Sequence, residues 1–283
     1  MDAVGYYNGK WGPLDEMMVP MNDRACFFGD GVYDAASAAN GVIFTLDEHV
    51  DRFFRSAELL EIKLHYTKEE LKKILNEMMS KVDKGEYLAY WQATRGTGRR
   101  AHEFCSGPSN LWITIKPIKI PNLSQKIKLI TMEDTRFLIC NVKTINLIPN
   151  VIAAQRAKEA GAVETVFHRG ETVTECSHSN VHIIKDGKFI THEANNFILK
   201  GIARSHLVRV CMRIGIPVEE RKFTLSELYD ADEIITSSTS TFALSADNID
   251  GKSAGGKDPE LLKKIQDEVM REFIEVTGYK PHN

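Results

Sequence analysis

Lys143 and Glu175 are the residues of this chain whose types and placing most invite chemistry. They lie in one stretch, NVKTINLIPNVIAAQRAKEAGAVETVFHRGETVTECSHSN, running from Asn141 to Asn180. The lysine falls in a short segment between an expected strand and an expected helix. The glutamate follows a second strand and a turn, in a run of small hydroxyl-bearing residues. A lysine amine can condense with a carbonyl to a Schiff base, and a carboxylate can keep a ring nitrogen protonated so that the ring accepts electrons. Those are the two groups that a cofactor of the pyridoxal type requires. Taken alone, the pair reads more simply as a surface lysine and a solvated glutamate. The rest of the chain decides.

The elements that must position such residues can be read in order. Val4 to Tyr7 is strand-like and turns at Asn8-Gly9; Gly29-Asp30-Gly31 leads into an alternating run that ends at Asn40-Gly41, a strong hairpin signal. Thr45 with Glu48 has capping-box spacing, and Val50, Phe53, Phe54, Ala57 and Leu60 recur with helical period. Arg52 lies off that stripe and by itself reads as a solvated charge. Thr67 with Glu70 opens a second amphipathic helix through Leu71, Ile74, Leu75 and Met78. A strand, EYLAYWQATRG, runs into GTGRRAHEF. Two arginines and a histidine there suit a carboxylate, or equally a solvated hairpin tip. LWITIKPI is a further strand, and Pro117 and Pro121 bracket a connection.

Beyond the connection, KIKLITME is a strand, Asn150 to Ala160 a helix stopped by Gly161, and NVHIIKDGKFITH a hairpin turning at Asp186-Gly187. Gly201 precedes a helix with Leu207, Val208, Cys211 and Ile214 on its apolar face, and a helix N-terminus suits a phosphate. EIITSSTST is a strand entering a hydroxyl-rich turn, which is either a polar loop or an arm of a phosphate cradle. Thr224 with Glu227 caps a short helix, and Asp258-Pro259 starts a long one through Leu261, Leu262, Ile265, Val269 and Phe273. The fold class expected is mixed α/β in two domains, residues 1–118 and a larger 119–283 carrying Lys143, joined near 117–124, with the site in the cleft between them.

Composition narrows the partners. The 283 residues are 43% hydrophobic and 27% charged, with a net charge of −3, which gives no reason to expect nucleic acid or an anionic membrane. No apolar run approaches the roughly 20 residues of a membrane span, and the N-terminus lacks a signal-peptide pattern, so a cytoplasmic location is expected. Five cysteines without paired spacing read as reduced structural thiols, not a disulfide framework or a metal site.

In order along nearly the whole chain, GDGVYD, EHVDRFFRSA, VKTINL, VTECSHSN, LKGIAR and the ITSST turn resemble the class IV aminotransferases, pyridoxal-phosphate enzymes of fold type IV. The resemblance implies Lys143 as the Schiff-base lysine and Glu175 as the partner of the pyridine nitrogen. It implies Arg52, the amides of Ile202 and Ala203, and Ser238 around the phosphate, with Ser237 lining the same turn and Leu199 packed on the ring. Within the group, TRGTGRRAHEF is most similar to D-amino-acid aminotransferases, which implies Tyr33, Arg100 and His102 as the holders of the substrate carboxylate. Amino acid and 2-oxo acid substrates, a ping-pong mechanism and a homodimer follow from the same resemblance. Branched-chain aminotransferases and aminodeoxychorismate lyases share the cofactor motifs and are the alternatives. The chain departs from the pattern at Ala203, where a threonine is usual, at His178 and His182 around Asn180, and in TSTFALSAD after Ser238.

Overall fold

The computed structural model describes residues 3–281. They divide into two compact units. The first is the chain through Ile120, together with Val142–Asn146 and the residues from Phe273; the second is Pro121–Asn141 and Leu147–Glu272. The expected boundary at 118/119 therefore moves by two residues, and one assignment is corrected: Lys143 belongs to the first unit, not to the C-terminal one. The cause is backbone pairing, since Thr144 bridges Val32 and Tyr33 N donates to Lys143 O at 3.0 Å.

The first unit holds strands β1 (Val4–Tyr7), β2 (Lys10–Pro13), β3 (Gly31–Ala39), β4 (Val42–Ile43), β5 (Glu86–Thr94) and β6 (Asn110–Pro117). They form one antiparallel sheet in the order β2-β1-β6-β5-β3-β4. Helices α1 (Arg24–Phe28), α2 (Leu46–Leu59) and α3 (Lys68–Met79) complete it. The apolar stripes read from the sequence bury Val50, Phe53 and Ala57 of α2 and Leu71, Leu75 and Met78 of α3 in one core with Val32, Ala36, Ala89, Trp91, Ile113 and Ile115 of the sheet. Phe53 meets Trp91 edge-on, their rings 6.3 Å apart. The Asn40-Gly41 turn has both residues at positive φ, 51° and 82°, as a two-residue hairpin needs.

The two capping-box patterns behave differently. Thr67 and Glu70 form the reciprocal pair at α3. Thr45 does not cap α2: it sits at φ 52° and its hydroxyl donates to Phe44 O at 2.8 Å. The chain is still paired to the hairpin at Phe44, whose N–H donates to Ser37 O, so Thr45 must reverse direction at once into the helix.

The second unit holds β7 (Lys126–Glu133), β8 (Glu164–Arg169), β9 (Thr172–Cys176), β10 (Asn180–Lys185), β11 (Lys188–Thr191), β12 (Val218–Glu220), β13 (Glu233–Ser237), β14 (Leu244–Ile249) and β15 (Lys252–Ser253). Their order is β12-β11-β10-β13-β14-β7-β8-β9, with β15 on β14. The sheet is mixed: β11/β12, β14/β7 and β7/β8 are parallel and the other pairs antiparallel. Central β10 and β13 are buried on both faces, which is why NVHII and EIITS show no polar alternation. Helices α4 (Ile148–Glu159), α5 (Ile202–Arg213), α6 (Leu225–Tyr229) and α7 (Pro259–Thr277) accompany it. Thr224–Glu227 is a true capping box, and Asp258 accepts from Leu261 N at the start of α7. No helix among the described residues is long and apolar enough to cross a membrane.

Phe53 has no solvent-exposed surface, so Phe53→Ala removes a ring that the surrounding sheet and α3 cannot refill. The loss expected is about 3–5 kcal/mol, measured as a lowered midpoint in urea unfolding. A change under about 1 kcal/mol would contradict the packing described.

Candidate active site

The candidate residues fall into two sets, one in each unit. In the first unit, Val142–Asn146 lies along the β3 edge that the short β4 leaves unpaired. Ile145 N donates to Gly31 O, Lys143 N to Ser56 Oγ of α2, and Asn146 Nδ2 to Gly29 O at 2.6 Å. The two motif glycines have separate reasons. A Cβ on Gly31 would come 2.6 Å from Ala93 O and 3.0 Å from Ile145 Cδ1, while Gly29 ends α1 at φ 61° with the Asn146 side chain against it. The lysine amine projects to Tyr33: Nζ lies 3.5 Å from Oη and 4.4 Å from the ring centroid. Among the described residues no carboxylate pairs with it.

Arg52 is held from behind. Its Nε and Nη2 donate to the two oxygens of Asp34 at 2.9 and 2.7 Å, and His49 Nδ1 lies 2.7 Å from the same carboxylate. Asp34 is fully buried. Burial pushes its carboxyl up, but Arg52 and His49 outweigh that and hold it well below the usual carboxylate range. Burial pushes His49 the other way, lowering it against the pull of Asp34, so its ring is neutral and donates from Nδ1. Arg52 Nη1 has no partner among the described residues.

Arg100 and His102 lie in an exposed loop and share one neighbour, Phe28: the guanidinium is 5.6 Å from that ring and the imidazole 5.3 Å. Among the described residues neither makes a hydrogen bond or ring contact to Tyr33. The loop is nonetheless anchored. Buried Arg24 donates to Ala101 O at 2.7 Å, Glu103 O and Asp30, and Arg95 grips the same aspartate while lying over Phe104.

In the second unit, Glu175 is 5% exposed. Its Oε1 accepts from Arg136 Nη1 at 2.6 Å, and its Oε2 accepts from Asn180 Nδ2 and Leu199 N, both at 3.0 Å. Donors on both oxygens, one of them a guanidinium, fix the carboxylate in place and favour its ionised form. Arg136 is a residue the motif reading missed. It also forks onto Asp134 and stacks on Phe167, and although burial opposes its charge, Glu175 and Asp134 raise it further above its ordinary value. Its one sequence signal was a buried-type arginine in EDTRF, two residues after an aspartate.

Gly201 precedes α5 with no side-chain cap, so the Ile202 and Ala203 amides start the helix without acceptors. No side chain fits at 201, where a Cβ would stand 2.1 Å from Asn180 Oδ1. Ser238 Oγ is tied to Thr241 Oγ1 at 2.8 Å within the turn. Ser237 is different from the expectation: it is buried, and its hydroxyl pairs with His182 Nε2 at 2.8 Å, while Nδ1 of that ring pairs with Thr191. The histidine that stands where the family pattern has an aromatic residue is the partner of the Ser237 hydroxyl. Burial pushes His182 far down, so it stays neutral.

The family model described as amino-transferase class IV matches residues 31–249. The chain is 38% identical over 271 residues to the D-alanine aminotransferase of Listeria monocytogenes serotype 4b (strain F2365), covering 93% of this chain and 94% of that one. The chain belongs to the class IV aminotransferases. It is also 38% identical to the D-alanine aminotransferase of Staphylococcus aureus (strain MSSA476), over 95% and 97% of the two chains. Among solved structures, the Escherichia coli branched-chain amino acid aminotransferase superposes with a TM-score of 0.88 at 20% identity, over 98% and 95% of the chains. The branched-chain aminotransferase of the thermophilic archaeon Thermoproteus uzoniensis, solved with norvaline, gives 0.86 at 21%, over 96% and 97%. At those identities the likeness establishes the fold.

Pyridoxal 5'-phosphate is the cofactor of this class, and the donor sets fit it. A buried carboxylate paired with an arginine suits a protonated ring nitrogen. In the second unit the uncapped amides on α5 suit a phosphate, and in the first unit the spare nitrogen of Arg52 suits one as well. Ala203 supplies an amide there but no hydroxyl.

The Asp34 pair makes a pH prediction. A carboxyl depressed in the folded state adds stability above its unfolded value of about 3.9, and that stability is lost as pH falls through the folded value. Asp34→Asn should cost roughly 2–4 kcal/mol at pH 7, because half-buried Arg52 is left without its charged partner. In urea titrations the gap from the wild type should narrow below about pH 4. A gap that stays constant to about pH 3 would contradict the ion pair.

Proposed function

We propose that this aminotransferase moves the amino group between a D-amino acid, such as D-alanine or D-glutamate, and a 2-oxo acid. The observation that carries the reading is near-full-length identity of 37–38% to relatives named D-alanine aminotransferase. It is supported by an arginine–histidine loop that Arg24 and Arg95 hold in place. The branched-chain neighbours share the fold at lower identity and supply the alternative, with aminodeoxychorismate lyase as a third member of the group.

Lys143 would hold the cofactor through its carbonyl, and Glu175 would hold a proton at the ring nitrogen. When bound, the cofactor supplies the carbonyl that takes up the amino group and the ring that draws electrons from the substrate α-carbon. Lys143 Nζ, once released, takes the substrate α-proton, and the Tyr33 hydroxyl beside it keeps the amine directed. Arg136 keeps its pairing with Glu175 through the cycle. Arg52, Ile202, Ala203 and Ser238 hold the phosphate, and Leu199 packs on the ring while its N–H steadies Glu175. Tyr33, Arg100 and His102 hold the α-carboxylate, and the side on which they do so decides which enantiomer presents its proton to Lys143. Because the first 2-oxo acid would leave before the second binds, the kinetics should be ping-pong.

The same reading makes the enzyme a cytoplasmic homodimer. Exposed Phe137, Leu138 and Ile139, with Ile148, Val151 and Ile152, support a covered surface of that kind.

The test is a donor panel of D-alanine, D-glutamate, L-alanine, L-leucine and aminodeoxychorismate, read by 2-oxo acid or product release. The D-acids should lead their enantiomers by about a hundredfold or more in kcat/KM. Arg100→Ala should lower D-acid kcat/KM by roughly 10- to 100-fold, mainly through KM. A wild-type enzyme faster with L-leucine than with any D-acid would overturn the handedness and leave the family standing.

A further inference from the structure

The sheet of the first unit has two unlike faces. One packs on α2 and α3. On the other, strand register sets Tyr33, Gln92, Trp112 and Tyr7 in a single row across β3, β5, β6 and β1, because directly paired residues share a face. The row starts at the Tyr33 hydroxyl, beside Lys143 Nζ. Tyr90, two residues before Gln92 and on the same face, stacks on Tyr33 at 5.4 Å and tilts against Trp112 at 5.4 Å. Tyr33, Tyr90, Trp112 and Tyr7 are all half-buried.

Gln92 is the odd member of this aromatic row. It is 6% exposed, and Tyr90 Oη donates to its Oε1 at 2.7 Å. Burial raises the Tyr90 hydroxyl, with Tyr33 and Asp34 adding to the effect, so it remains a proton donor. That bond fixes the amide and leaves Nε2 without a partner among the described residues. The residue is nearly enclosed, yet Nε2 is not among the buried polar atoms that lack a partner, so that nitrogen faces accessible space.

We propose that Gln92 Nε2 is the donor for the distal carboxylate of a dicarboxylic substrate of the glutamate and 2-oxoglutarate class, with Trp112 bounding the side chain. The inference rests on the reading of Lys143 as the reacting amine. Tyr33 and Gln92 stand on adjacent strands, about 4.8 Å apart. A two-carbon side chain ending in a carboxylate spans that step, whereas the methyl of alanine or pyruvate stops short. The neutrality of the amide matters too. A cation at this place would demand a second carboxylate, but an amide gains from one and loses little when a small side chain leaves it to water. One site then serves both alanine-type and glutamate-type substrates.

The test uses achiral acceptors, so that its failure and that of the D-specific reading are separable. With the aminated holoenzyme, kcat and KM are measured for pyruvate and 2-oxoglutarate in the wild type, Gln92→Leu and Gln92→Glu. Gln92→Leu should raise the pyruvate to 2-oxoglutarate ratio of kcat/KM by roughly tenfold, through the 2-oxoglutarate KM and not kcat. Gln92→Glu, nearly isosteric, should raise it further by like-charge repulsion, and it decides alone if the leucine variant does not fold. Glutarate, which cannot react, should lose its thermal stabilisation of the holoenzyme in both variants. Equal loss for both acceptors, or an unshifted ratio in the glutamate variant, would overturn the proposal.

Discussion

Backbone pairing between Val142–Asn146 and the open edge of β3 is the constraint on which the rest depends. It places Lys143 in a unit to which neither flanking segment belongs. The chain leaves the second unit after Asn141, makes a few hydrogen bonds to Gly31, Tyr33, Ser56 and Gly29, and returns at Leu147. Each bond is worth only about 0.5–1.5 kcal/mol, but together they fix five residues that have no helix or strand of their own. The glycines of GDGVYD exist largely to admit this segment: a side chain at 29 or 31 would collide with it or with the strand behind it.

A second constraint runs through the charges. Apart from Arg100, the arginines assigned or found near the site are held by carboxylates: Arg52 by Asp34, Arg136 by Asp134 and Glu175, and Arg24 and Arg95 together by half-buried Asp30. Such buried pairs return little net stability after desolvation. What they supply is direction. A guanidinium pinned through two nitrogens presents the third at a set angle, and a glutamate pinned by an arginine cannot readily take up a proton. The price of that order is a chain sensitive to loss of any one partner.

The sequence made the family, the mixed α/β class and the amphipathic helices legible because each rests on local signals: period, caps and turn residues. Thr67 and Thr224 cap as their spacing implies. Thr45 has the same spacing and does not, because the hairpin before it dictates its backbone. The domain of Lys143 was misread for a similar reason, since a five-residue excursion back to an earlier sheet has no local signature. Arg136 was invisible as a site residue because its partner Glu175 is 39 residues away and only the fold brings it there. Ser237 shows the converse: its type matched the motif, but His182, a departure noted in the sequence, is the partner of its hydroxyl.

The central claim is that Lys143, and no other lysine, is the amine to which the cofactor is joined. The most direct measurement is to reduce the holoenzyme with borohydride, digest it and locate the modified lysine by mass spectrometry. The account predicts the phosphopyridoxyl mass on the peptide containing Lys143 and on no other. A fully modified peptide elsewhere, with Lys143 untouched, would contradict it.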